Sequence, residues 1–226
     1  MGKQSKTIKY LINKINRIGN DMVKCEIKCK GIINNPKEGV LPRCLFIDIL
    51  KGSNNNGIII VGLNPGKSGQ NERNAYKIKK TYKNTIIMWK EYFYESRYYK
   101  ILRRFVRLIG FKGPILWTEL VKCEKQSNTN FPPLQTFRNC TSNYLRREMR
   151  IIPNDWPIIA LGLEAYKALS YLYPKKTILG LPHPTGSRGQ CSKIMKDKKL
   201  IKIIKTWLGN KDGKSFWASA KRKELV

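Results

Sequence analysis

The chain has 226 residues, 41% of them hydrophobic, enough for one sizeable core, and carries 45 Lys and Arg against 15 Asp and Glu, a formal charge of +30. Such self-repulsion favours a polyanionic partner, nucleic acid first. An AT-rich genome alone raises Lys, Ile and Asn, but it does not also deplete acids this far. No stretch approaches the roughly 20 apolar residues of a membrane span and the N-terminus lacks a signal-peptide core, which sets aside membrane and secreted classes and leads us to expect a soluble, cytoplasmic monomer.

Residues 5–20 place Ile8, Leu11, Ile12 and Ile15 at helical intervals among Lys and Arg, predicting a basic amphipathic helix that lies against DNA or caps the core. After a polar loop at 51–56, the run Gly57-Ile58-Ile59-Ile60-Val61 predicts a strand buried on both faces of a parallel sheet. Residues 84–109 carry Ile86, Trp89, Phe93, Leu102, Phe105 and Leu108 at mixed helical spacing, predicting one long helix or two short ones before the break at Gly110. Further strands are predicted at 115–117, 158–161 and 177–180, with helices at 134–150, 164–172 and 192–207. The alternation argues for an α/β fold with a mostly parallel sheet and right-handed crossovers. From Lys211 the chain is polar and basic apart from Phe216 and Trp217, which reads as a tail or a packed extension. We expect one domain: a basic helical extension over 1–50, a catalytic core over 51–210 and a basic tail over 211–226.

The predicted strand at 57–61 runs into Gly62-Leu63-Asn64-Pro65-Gly66-Lys67-Ser68-Gly69. This is a glycine-bounded turn at the carboxyl end of the sheet, where ligands bind in open α/β folds and backbone N–H groups can face a phosphate or a base. A phosphate-binding P-loop needs four residues between its glycines, whereas three separate Gly62 from Gly66, and Pro65 stiffens the turn. That reading, with nucleotide hydrolysis dependent on Lys67, and a strand-end turn without chemistry are the alternatives. His183 is the only histidine and lies in Gly180-Leu181-Pro182-His183-Pro184-Thr185-Gly186-Ser187-Arg188-Gly189. An isolated His is commonly structural, yet prolines and glycines rigidify this loop and it follows another predicted strand. If both loops emerge on one edge of the sheet, Asn64 and His183 face each other.

Together these residues resemble the uracil-DNA glycosylase superfamily, whose first motif in several branches reads G-x-N-P-G and whose second reads H-P-S-x or N-P-S-x. Gly62 to Gly66 match the first, and His183-Pro184-Thr185 match the second with Thr in place of Ser. Leu120-Val121-Lys122-Cys123 is similar to the V-V-K-C segment of the iron–sulfur branches, and Ile158 to Gly162 resembles a strand and glycine that precede a helix there. The matches run in order from about 57 to 190. The resemblance implies a three-layer α/β/α sandwich around a central four-stranded parallel sheet. It also implies hydrolysis of the N-glycosidic bond of a flipped-out pyrimidine in DNA, leaving an abasic site.

Cleaving that bond develops positive charge on the sugar and negative charge on the departing base, so the site needs a positioned water and a donor to the base. By resemblance Asn64 holds the water and His183 donates to the base oxygen. Gly62 and Leu63 line the base, and Tyr76 or Tyr82 stacks on it, an ordinary core role being equally open for either ring. Lys67, Ser68 and Thr185 contact DNA. Ser187 and Arg188 fall where relatives insert a wedge into the vacated stack, Arg188 being alternatively a phosphate contact.

In a reducing compartment the six cysteines read as thiols or metal ligands. Cys123 and Cys140, separated by 16 residues, resemble the last two cluster ligands of the iron–sulfur branches. The first two then come from Cys25 and Cys29, spaced C-x-x-x-C where relatives more often show C-x-x-C, with Cys44 in reserve and Cys191 outside the set. The resemblance implies a 4Fe–4S cluster or a zinc ion, against unligated buried thiols. Uracil-specific relatives carry an Asn just before the V-V-K-C strand end, and Glu119 takes that place. An ionised carboxylate only accepts hydrogen bonds, which suits the exocyclic amino group of cytosine better than the carbonyl of uracil. This leads us to expect a modified cytosine, 5-hydroxymethylated or glucosylated as in phage DNA, and a role in antiphage defence. The alternatives are uracil excision in base-excision repair and a catalytically silent DNA-binding protein.

Overall fold

Ile58 to Val61 are buried along their whole length, as a strand covered on both faces must be. The computed structural model describes residues 3–49, 56–126, 131–209 and 213–219. In chain order the elements are α1 (Lys3–Val23), β1 (Ile32–Ile33), β2 (Phe46–Asp48), β3 (Ile58–Gly62), α2 (Gln70–Ile78), α3 (Tyr82–Met88) and α4 (Arg97–Leu108). They continue with β4 (Ile115–Glu119), β5 (Glu124–Lys125), α5 (Leu134–Cys140), α6 (Arg146–Ile151), β6 (Ile158–Leu161), α7 (Leu163–Leu172), β7 (Ile178–Leu181), α8 (Gln190–Lys196), α9 (Lys198–Gly209) and β8 (Ser215–Trp217). Of the described residues, those up to Asp48 join Gly62–Tyr94 and Leu116–Pro153 in a first compact unit. Ile49–Val61, Glu95–Ile115 and the residues from Asn154 onward form the second.

In the first unit α1 buries Leu11, Ile15, Ile18 and Met22, one stripe at helical spacing, and packs on α3, α6 and β2. Gly19 is required there, because a Cβ would collide with the ring of Tyr82, whose hydroxyl donates to the Leu45 carbonyl at 2.6 Å. β1 pairs antiparallel with β5, Ile33 opposite Glu124, and β2 lies beside β4. The apolar stretch from 84 resolves into two helices: α3 passes into a π-helical turn at Trp89–Phe93, and α4 starts afresh at Arg97. A second π turn, Thr141–Leu145, links α5 to α6.

In the second unit β3, β6, β7 and β8 pair in that order, all parallel, with Ile59 opposite Ile158, Ile159 opposite Leu179 and Leu179 opposite Phe216. α7 covers β6 and β7, and α8 contacts α4 and α9. Gly180 has no room for a Cβ because the Trp217 and Tyr166 rings press on it. The protein is therefore a mixed α/β fold with a mostly parallel sheet, as the strand and helix alternation predicts.

The expected count of four strands omits β2 and β8. Both are three residues long, too short for a period to show. β8 comes from the stretch expected as a tail, and its aromatics tie it down: Phe216 lies 5.4 Å from Trp207 and Trp217 lies 5.4 Å from Tyr166, centroid to centroid. Among the described residues no helix is long and apolar enough to cross a membrane.

Candidate active site

Gly62 ends β3, and its carbonyl accepts the Leu120 N–H at 2.9 Å while that of Leu63 accepts the Val121 N–H at 3.0 Å. This pairing sets Glu119, the last residue of β4, against the start of the first motif. The fit is close enough that a Cβ on Gly62 would strike the Glu119 carboxyl group, so the glycine is needed for this close approach. Leu63 and Asn64 are half-buried, and the Asn64 amide donates to the Pro65 carbonyl at 3.0 Å. Lys67 is exposed.

Glu119 holds its Oε2 buried with no hydrogen-bond partner. Burial pushes its pKa up to about 8, with the charges of Lys122 and Arg43 pulling the other way. At neutral pH the carboxyl is mainly the neutral acid, which corrects the expectation of an ionised acceptor. The physical reason is desolvation, which sequence spacing does not report. Next to it Lys122 is fully buried, with Nζ 2.8 Å from Glu148 Oε1 and donating to the Glu119 carbonyl at 2.7 Å and to the Thr118 hydroxyl.

Two expected contacts are corrected. Tyr76 is 1% exposed, packs with Leu41 and Met88, and donates to Glu72 at 3.1 Å, so its ring belongs to the core. Its place on the buried face of α2 decides this; Tyr82 is likewise core. Ser68, expected on DNA, is buried: its N–H donates to Glu124 Oε1 at 2.8 Å and its hydroxyl accepts from Arg73 Nε at 3.0 Å. A buried carboxylate claims its N–H and a guanidinium claims its hydroxyl.

The second motif belongs to the second unit, where β7 delivers Pro182 and His183 to the loop. His183 is exposed, and its ring lies 5.5 Å from that of Tyr98 on α4, a neighbour the sequence does not reveal. Thr185 Oγ1 stands 3.3 Å from His183 Nδ1. Partial burial lowers the His183 pKa, which keeps the imidazole neutral near pH 7. If Nδ1 accepts from Thr185, Nε2 bears the proton and is the ring's donor. Ser187 and Arg188 have φ of 54° and 50°, the left-handed region that non-glycine residues rarely adopt. They border a cavity of about 350 Å³ with Gly162, Pro182 and Trp217. Strain of this kind persists where surrounding structure imposes it and concentrates at functional loops.

All four expected ligands lie in the first unit. Burial raises the pKa of the Cys123 thiol well above its ordinary value, and the nearby Cys140, Cys25 and Cys29 raise it further. Cys140 is raised in the same way, with Lys122 opposing. The Asn139 amide donates to Cys29 Sγ at 3.6 Å, and Tyr144, on the second π turn, hydrogen-bonds Cys25. Asn34 donates to the Cys25 carbonyl at 2.7 Å, fixing the loop between α1 and β1. Among the described residues no group of three or more His, Cys, Asp or Glu is placed to hold a single metal ion. Cys44 faces Glu119 and Arg43, and Cys191 is buried on α8.

The family model of the uracil DNA glycosylase superfamily matches residues 51–207, from before the first motif to the end of the second unit's helices. The chain belongs to the uracil-DNA glycosylase superfamily. Membership points to DNA glycosylase activity as a class and to DNA as the partner. No curated protein matches the chain. Gly62, Asn64 and Glu119 lie in the first unit and His183 in the second, and Arg43, Tyr98 and Glu148 enter as neighbours only through the structure, as do the bonds that Lys122 makes. A signal for two of them is present in the sequence: Arg43 and Lys122 are lone cations inside the apolar runs Leu41–Leu45 and Leu120–Cys123.

Proposed function

We propose that the protein is a DNA glycosylase that hydrolyses the N-glycosidic bond of a flipped-out pyrimidine, a modified cytosine, leaving an abasic site. Asn64 positions the water and His183, neutral and donating from Nε2, stabilises the negative charge that grows on the base oxygen. The observation that carries the choice of base is the unpartnered Glu119 oxygen against Gly62. A neutral carboxyl both donates and accepts, so it can bond N3 and the amino group of cytosine, and equally O4 and N3–H of uracil. Once ionised it only accepts, and then it favours the amino group by about 1–3 kcal/mol. Ordinary cytosine is abundant in any genome, so a substituent at the 5 position must complete the discrimination, which fits defence against modified phage DNA. Uracil excision in repair is the alternative, which the neutral form serves equally well. Incubation with duplexes carrying uracil, cytosine, 5-hydroxymethylcytosine or its glucosylated form, followed by alkali, tests this: strand breaks at a modified cytosine are expected, and breaks with uracil alone reject the Glu119 reading.

Lys67 and Arg188, exposed and cationic, are proposed phosphate contacts, with Thr185 and Ser187 beside them in the second loop. For Cys25, Cys29, Cys123 and Cys140 we propose a structural 4Fe–4S cluster. A zinc ion draws its thiolates to about 2.3 Å each, whereas a cluster interposes its own atoms and spaces them wider. The four-thiol neighbourhood and its N–H and O–H donors to sulfur suit such a group. When bound, the group would tie α5 to the loop after α1 and compensate the charge of thiolates that burial otherwise disfavours. Anaerobically purified protein is expected to show thiolate-to-iron charge-transfer absorption that Cys123→Ser abolishes; zinc, or no metal, in elemental analysis would contradict it.

A further inference from the structure

The first motif is a loop, and a loop that holds a water must itself be held. Its near end is fixed by the Leu120 and Val121 amides on the Gly62 and Leu63 carbonyls. Its far end is fixed by a buried cation. Arg43, 5% exposed, places Nε 2.9 Å from Glu72 Oε1 on α2 and Nη1 2.7 Å from Glu124 Oε1 on β5, and Nη2 donates to the Gly66 carbonyl at 2.5 Å. Glu124 Oε1 also accepts the Ser68 N–H at 2.8 Å, and Arg73 reaches both Ser68 Oγ and, at 3.9 Å, Glu124 Oε2. The Arg43 backbone N–H donates to the Lys122 carbonyl at 2.8 Å, so the cation is itself anchored to the segment after β4. Between the two pins stand only Asn64 and Pro65.

We infer that Arg43 is a positioning residue for Asn64, clamping the far end of the Gly62–Gly69 turn so that the catalytic amide is presented in one geometry; this rests on the glycosylase reading of that loop. A planar guanidinium has donors in three directions, and here each is used on a different element, something a lysine ammonium cannot reproduce with the same fork. Burial opposes the Arg43 charge, and Glu72, Cys44 and Glu124 outweigh it. Burying a cation with two carboxylates is seldom the most stable filling of a core, since well-packed apolar residues of the same volume often do as well or better. What the arrangement supplies is direction: two bonds to carboxylates fix the guanidinium, and the third holds the Gly66 carbonyl, and with it the turn. The role concerns catalysis rather than contact with DNA, since the guanidinium is buried.

The experiment compares wild type with Arg43→Lys by single-turnover base excision, duplex Kd and amide hydrogen exchange. Arg43→Lys is expected to lower the excision rate by about 100-fold, the cost typical of an ångström-scale misplacement. Duplex Kd should hold, the amides of residues 63, 64 and 66–69 should exchange faster, and those of β6 and β7 should be unchanged. A folded Arg43→Lys with wild-type rate and wild-type loop exchange overturns the proposal, as does a loss of rate matched by a loss of duplex affinity with loop exchange unaltered. Should that variant fail to fold, Glu72→Gln keeps the side-chain volume and weakens one anchor; it must slow excision with Kd held, and a wild-type rate with wild-type exchange would overturn the idea. The exchange readout needs no turnover. Faster loop exchange in a protein whose wild type excises no base sinks the glycosylase reading and leaves the clamp standing.

Discussion

Glu119 keeps an oxygen buried without a partner beside a glycine that has no side chain to cover it. Its pKa of about 8 has a consequence with a definite sign. Below that pH the acid pairs with either pyrimidine edge; above it the carboxylate accepts from an amino group and repels a carbonyl. The ratio of modified-cytosine to uracil excision should therefore rise as pH increases from about 6 to about 9, and Glu119→Gln should flatten the profile. A ratio constant across that range in the wild type would remove Glu119 from base reading. The groups facing this carboxyl are Arg43, Lys122 and the Cys44 thiol. Stability moves the other way: the folded chain keeps a proton that the unfolded chain gives up near its ordinary value of 4.5, so this contribution is full below that pH and lost as pH rises through about 8. Asn64, Glu119 and His183 stand out in the sequence because they sit in or beside short motifs. The protonation of Glu119 and the Tyr98 neighbour of His183 were not, since both depend on what packs around them. Tyr76 illustrates the same limit, because a tyrosine after a loop looks alike in sequence whether its ring faces a ligand or the core.

At the scale of elements, β4 and the segment after it organise the first unit. Thr118, Glu119 and Lys122 follow one another at this strand end, and the Lys122–Glu148 pair, both fully buried, ties it to α6. Removing one partner leaves an uncompensated buried charge, so Lys122→Met should cost roughly 3–5 kcal/mol in urea unfolding, and Lys122→Met with Glu148→Leu much less than the sum. Additive losses would show that the two charges act independently. The long strands and helices were readable from periodicity: β3 from its β-branched run, α1 from its stripe, and α7 almost to the residue. The break between α3 and α4, left open in the sequence, comes at a π turn that no composition marks. β2 and β8 escaped because three residues carry no period, and β8 is held by aromatic contacts with α7 and α9 rather than by its own pattern.

For the whole molecule the dominant quantity is the charge of +30. If it serves DNA binding, log affinity should fall linearly with log salt, a footprint of roughly 6–10 phosphates losing about 10³–10⁵ between about 50 and 200 mM. Lys67→Ala should reduce the slope by about 1 and weaken binding alike for every base. Affinity indifferent to salt would assign the charge to composition alone. Net charge and partner class were thus legible from the sequence, whereas the base was not, because it turns on one carboxyl and its surroundings.

The central claim is that the first and second motifs perform base excision. Its most direct measurement is abasic-site formation on modified-cytosine duplex under single-turnover conditions, by wild type, Asn64→Ala and His183→Ala, with duplex Kd determined in parallel. Wild type should convert the substrate, and each variant should be slower by about 10²–10³ with its Kd unchanged. Abasic sites formed equally fast by Asn64→Ala, or none formed by the wild type from any base in the panel, would contradict it.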